Sequence, residues 1–83
     1  MPVISRFNGI VVKMYFCQSE HNPPHIHAIY GECVVVIDIQ TGKMIEGDLP
    51  DRILVIVCQW TSRYRTDLLD IWETQKFRTL PAM

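Results

Sequence analysis

His21-Asn22-Pro23-Pro24-His25-Ile26-His27-Ala28-Ile29-Tyr30-Gly31-Glu32-Cys33-Val34-Val35-Val36-Ile37-Asp38-Ile39 is the stretch that decides the fold. Two prolines in a row fix φ twice and bias Asn22 towards an extended conformation. The run from His25 to Tyr30 reads as a strand, and Gly31-Glu32 as a two-residue hairpin turn. The run from Cys33 to Ile39 is the returning strand. That turn pairs Tyr30 with Cys33, Ala28 with Val35 and Ile26 with Ile37, and all of these belong on one apolar face. The same register sets His27 opposite Val36 and His25 opposite Asp38. A four-residue loop would instead set His27 opposite Asp38. Residues two apart in a strand share a face, so His25 and His27 point one way, and Ile26, Ala28 and Tyr30 the other.

Outward from this hairpin, residues 4–7 form a short strand that ends at the Asn8-Gly9 turn. Ile10 to Phe16 follows as a strand. Ile10, Val12, Met14 and Phe16 share the core face; Lys13, Tyr15 and Cys17 share the other. Thr41-Gly42 is a tight turn, and Lys43 to Glu46 a short last strand. Then the period changes. Asp48 reads as a helix cap, with Pro50 near the first turn and Asp51 placed to favour the macrodipole. Trp60, Tyr64, Leu68 and Trp72 recur every four residues, which predicts helix. Thr66-Asp67 restarts a second helix that runs to about Lys76, and the tail from Thr79 is expected to be loose. The predicted fold is α+β: a small antiparallel meander of three to four strands plus a short N-terminal strand, covered on one face by one or two C-terminal helices. Residues 1–83 make one domain, with strands over about 4–46 and helices over about 50–76.

Composition narrows the function classes. Hydrophobic residues are 48% of the chain and charged residues 20%, a globular balance. A net charge of −1 argues against a chain-wide electrostatic hold on nucleic acid. Arg52, Arg63, Arg65, Lys76 and Arg78 still leave room for a local basic patch. The cysteines, Cys17, Cys33 and Cys58, are odd in number and have no disulfide spacing, which points to a reducing cytosol. No apolar run follows a basic start as in a signal sequence, and the run from Ile53 to Cys58 is far too short to cross a bilayer. The expected location is cytoplasmic. Cys33 and Cys58 read as small core residues, and Trp60 and Trp72 as large ones.

Several pieces of the chain together resemble a known family. They are Met1-Pro2-Val3-Ile4-Ser5-Arg6-Phe7-Asn8-Gly9-Ile10-Val11-Val12, then Met14-Tyr15-Phe16, then His21-Asn22-Pro23-Pro24-His25-Ile26-His27. The sequence resembles the small bacterial domain-of-unknown-function family four-one-six-zero. Tyr30-Gly31, Val36-Ile37-Asp38-Ile39, Gly42, Gly47, Leu49-Pro50 and Trp60 fit the same pattern, which reaches to about Trp72. The resemblance implies a protein encoded beside a second small protein. Some such pairs are regarded as toxin–antitoxin modules, with this family on the toxin side. Cys17 and Cys58 lie outside the pattern.

All three histidines fall within seven positions, and three readings compete for them. In the first, the histidines only hydrogen-bond to the loop that Asn22-Pro23-Pro24 shapes. In the second, His21, His25 and His27 bind zinc or another divalent metal, with Cys17, Glu20 or Asp38 as a fourth ligand. In the third, His25 and His27 carry metal-free acid–base chemistry, with Asp38 holding one ring in a single tautomer and Lys13 and Tyr15 on the same face. Such a set suits RNA cleavage. A non-catalytic module that docks a partner is the alternative from another class. The apolar helix from Ile53 to Cys58, with Leu68, Leu69, Ile71 and Trp72 following, predicts association through the helices with a second copy or a small cognate protein.

Overall fold

The turn at Gly31-Glu32 forms as the sequence predicts. Gly31 has a φ of +60°, which glycine adopts without steric cost. It joins β3 (His25–Tyr30) to β4 (Cys33–Asp38). Tyr30 pairs with Cys33, Ala28 with Val35, Ile26 with Ile37, His27 with Val36 and His25 with Asp38. The computed structural model describes residues 2–15 and 23–82. Expectations attached to Phe16, Cys17, Glu20 and His21 lie outside the described residues.

Three more strands complete the sheet: β1 (Val3–Phe7), β2 (Ile10–Lys13) and β5 (Met44–Gly47). The five strands run β1-β2-β3-β4-β5 in sequence order, and each pair is antiparallel. Asn8 and Gly9 both have positive φ, at 50° and 77°. That is the primed turn whose twist matches the two strands it joins. Two helices follow, α1 (Asp51–Arg63) and α2 (Arg65–Thr74). Tyr64 separates them at φ −104°, and Gln75 ends the second in the left-handed conformation.

The helices cover one face. Val12, Met14, Ile26, Val35 and Ile37 from the sheet are fully buried together with Val57, Trp60, Leu68 and Ile71 from the helices. Trp60 is the largest of them. Its ring stacks on Phe7 at 5.4 Å between centroids and leans on Tyr64 at 5.3 Å. The apolar run of α1 is less exposed than its sequence suggests. Leu54, Ile56 and Cys58 pack partly buried against the core, as do Leu69 and Trp72 from α2. Among the described helix residues only Val55 is a large exposed hydrophobic. Burial pushes the Cys58 thiol pKa up, as expected of an inert, half-buried group.

Four local expectations need correcting. Asp48 does not cap α1: the capping position is Pro50, and no side chain bonds there. The Pro50 carbonyl instead accepts from Ile53 N–H and Leu54 N–H, both at 2.9 Å. Leu49 is buried and Asp48 exposed. Cys33 is exposed at the start of β4 rather than in the core. The tail is not loose. Leu80 N–H donates to the Ile4 carbonyl at 2.7 Å, and Trp60 Nε1–H donates to the Pro81 carbonyl at 2.9 Å. The tail thus lies along the outer edge of β1. Trp72 is only partly buried, and its ring faces a histidine, as described next.

Candidate functional site

Strand parity puts His25 and His27 on the face the helices leave open. Pairing then fixes their neighbours. Lys13 on β2 lies directly across from His27, which lies across from Val36, which lies across from Glu46 on β5. Pro23, His25, His27, Val36, Ile45 and Glu46 line a shallow cleft of about 210 Å³. Glu46 reaches this row because β5 carries an irregularity opposite Val36 and Ile37. Gly47 makes the close approach possible. At its φ of +95°, a Cβ would meet the Val34 carbonyl oxygen and come within 2.8 Å of the Val35 Cα.

The two imidazoles have different settings. His25 Nδ1 lies 2.9 Å from the Pro23 carbonyl oxygen. A carbonyl only accepts, so Nδ1 carries the hydrogen, and Nε2 is the atom left for proton exchange. Two rigid prolines deliver that carbonyl, which is a chemical use for the Pro-Pro turn. His27 Nδ1 is buried and has no hydrogen-bond partner among the described residues. The His27 pKa is lowered from the ordinary 6.5, first by desolvation and then by the His25 charge, with Glu46 pulling the other way. Its neutral form is therefore favoured.

Four rings stand in series across the sheet. Tyr15 meets His27 edge-on at 4.3 Å between centroids, His27 meets His25 at 5.3 Å, and His25 meets Trp72 at 5.0 Å. The row runs from the end of β2, over β3, to α2.

The family model for a domain of unknown function (DUF4160) matches residues 9–73. The chain belongs to this family. No curated protein and no solved structure matches it. The DUF4160 match contains every residue of the cleft and of the ring row, so the site lies within the family's domain.

The DUF4160 chain brings together most of the side chains that the sequence nominates. His25, His27, Lys13 and Tyr15 share the open face. Asp38 lies opposite His25, but its carboxylate serves the next turn. Oδ1 accepts from Gln40 N–H at 2.8 Å and from Thr41 N–H at 3.3 Å. The partner of His25 Nδ1 is the Pro23 carbonyl rather than the Asp38 carboxylate, and the acid in the cleft is Glu46, which raises the His27 pKa against the other two causes. Sequence reading missed Glu46 because the irregularity in β5 shifts its register by one residue. It missed Trp72 because four-residue periodicity marks a helix face without saying where that face ends.

Among the described residues no group of three His, Cys, Asp or Glu is arranged to hold a metal ion; His21 lies outside them. Arg78 bonds Asp67 and Asp70, each at 3.0 Å, and Arg63 lies 5.8 Å from the centroid of the Tyr64 ring. Among the described residues no helix is long and apolar enough to cross a membrane.

Proposed function

We propose that the His25–His27 cleft is the working site and that it cleaves RNA by metal-free acid–base chemistry, in the toxin-like half of a two-protein pair. The observation that carries this reading is the unequal setting of two adjacent imidazoles. Pairs of titratable groups held in different environments are how sites divide acid and base roles. His27, favoured neutral, takes the proton of a ribose 2′-hydroxyl through Nε2, since its Nδ1 is buried. The 2′-oxygen forms a bond to phosphorus, and the bond to the 5′-oxygen breaks. His25 gives a proton from Nε2 to that leaving oxygen, with its Nδ1–H held by Pro23. The products are a 2′,3′-cyclic phosphate and a 5′-hydroxyl. Lys13, across from His27, supplies positive charge for the crowded phosphorane. Tyr15 braces the His27 ring.

The test is cleavage of a mixed RNA by tag-free protein, with cyclic phosphate ends read directly. His25→Ala and His27→Ala should each lower the rate about 10²–10⁴-fold, and a chelator should leave it unchanged. Loss of activity with chelator would move the cluster to the metal reading. Absence of cleavage by the unaltered protein, or survival of cleavage and of growth arrest in the double variant, would end the RNA reading.

A second reading is favoured by a different observation. The face that carries the histidines also exposes Val34 and Ile45, at 47% and 51%. A non-catalytic module that docks a second copy or a small cognate protein would use them. Copurification of the neighbouring protein that is unaffected by the histidine variants, and lost in Val34→Lys, would support it.

A further inference from the structure

We propose that Trp72 is a positioning residue of the cleft: it clamps the His25 ring against His27 and so fixes which nitrogen of His25 faces the substrate. The proposal rests on the reading that His25 Nε2 exchanges a proton there.

One hydrogen bond does not hold an imidazole. The bond from His25 Nδ1 to the Pro23 carbonyl is exposed, and an exposed bond competes with water. Turning the ring over would exchange Nδ1 for a carbon and move Nε2 away from the cleft. Two ring contacts oppose that motion. His27 meets the His25 ring at 5.3 Å and 65°, and Trp72 meets it at 5.0 Å and 56°. The first wall is on the same strand as His25. The second comes from a different layer of the molecule.

That second wall is firmly placed. Trp72 follows Ile71 directly and lies one turn beyond Leu68, and both are fully buried. The Trp72 carbonyl also accepts from the Gln75 side chain as α2 ends. The indole is therefore presented by a helix fixed in the core, while its own ring remains only partly buried. The large core aromatics have other duties: Trp60 stacks with Phe7 and Tyr64 beneath the sheet. Trp72 links the helical layer to the open face through its contact with His25. A rigid aromatic on a rigid element is the support a reacting group needs.

The experiment compares Trp72→Leu and Trp72→Phe with the unaltered protein. Leucine keeps apolar bulk and removes the flat face; phenylalanine keeps a flat face. Folding is checked by amide spectral dispersion. The readout is the long-range proton–nitrogen spectrum of the imidazoles at alkaline pH, without RNA. The unaltered protein should show His25 as a single tautomer with hydrogen on Nδ1. Trp72→Leu should show a mixture of both tautomers, and Trp72→Phe should restore the single form. Where cleavage is measured, Trp72→Leu should lower kcat about tenfold with KM little changed.

A filler role for Trp72 would cost stability and leave the tautomer alone. A single Nδ1–H tautomer in folded Trp72→Leu overturns the proposal, whatever the RNA assay shows. Mixed tautomers in a protein that cleaves no RNA would uphold the clamp and remove the RNA reading instead.

Discussion

Val34 and Val35 are neighbours in one strand, and they belong to different molecules in effect. Val35 is fully buried under the helices, while Val34 is 47% exposed on the other side. The same contrast holds across the whole sheet. One face is closed by α1 and α2 around Trp60. The other carries Lys13, His25, His27 and Glu46 on a bed of Val11, Ile29, Val34 and Val36. Both faces are rich in β-branched residues, because those residues make strands whichever way they point. What separates the faces is cover. The closed face supplies stability, and the open face can hold groups in unfavourable settings, such as the buried His27 nitrogen that has no partner among the described residues, because stability is supplied behind it.

The largest effect is expected at the centre of the closed face. Trp60→Ala removes a ring with no exposure, two aromatic neighbours and a bond to the tail. It should cost about 3–5 kcal/mol by chemical denaturation, enough to threaten a domain of this size. A loss near zero would mean that α1 is not the seal of the sheet.

Much of this division is legible in the sequence. The Gly31-Glu32 turn sets the register of β3 against β4, and parity then assigns His25 and His27 to one face. Local chemistry decides both. Features that depend on the third dimension are not legible in this way. Asp48 looks like a cap, but the helix begins past it, with the Pro50 carbonyl accepting the first bonds. The tail looks free, but Trp60 and Ile4 offer it hydrogen-bond partners far away in sequence. Asp38 sits opposite His25 as expected, yet its nearest donors are the amides of its own turn. Glu46 enters the cleft through an irregular strand, which no alternation pattern reveals. Trp72 carries the periodicity of a core residue and lies at the rim of the core.

A smaller effect tests the open face by pH. The folded His27 pKa lies below its unfolded value, so the folded state binds fewer protons in that interval. The stability due to the neutral ring is fully present above the unfolded value, near 6.5. It is lost as pH falls through the lower folded value. Denaturation midpoints should therefore decline on mild acidification, before most carboxylates titrate. His27→Phe should remove that part of the decline. Glu46→Gln should steepen it, because Glu46 raises the His27 pKa. An unchanged profile in His27→Phe would place the acid sensitivity elsewhere.

The smallest expected effect returns to the adjacent valines. Val35→Ala removes methyl groups from a filled core and should cost about 1.5–3 kcal/mol. Val34→Ala removes the same atoms from a surface that water already reaches. Only strand preference and partial cover remain to be lost, so the cost should be below about 1 kcal/mol. Matched denaturation curves for the two variants measure the difference between the faces directly. Protein concentration sharpens the result. A face covered by a second copy gains stability by mass action, and Val34 would then behave as a buried residue only in concentrated samples. A large loss for Val34→Ala that grows with concentration would show that the open face is closed by assembly. A small loss at every concentration leaves Val34 facing water and the cleft beside it open to a substrate.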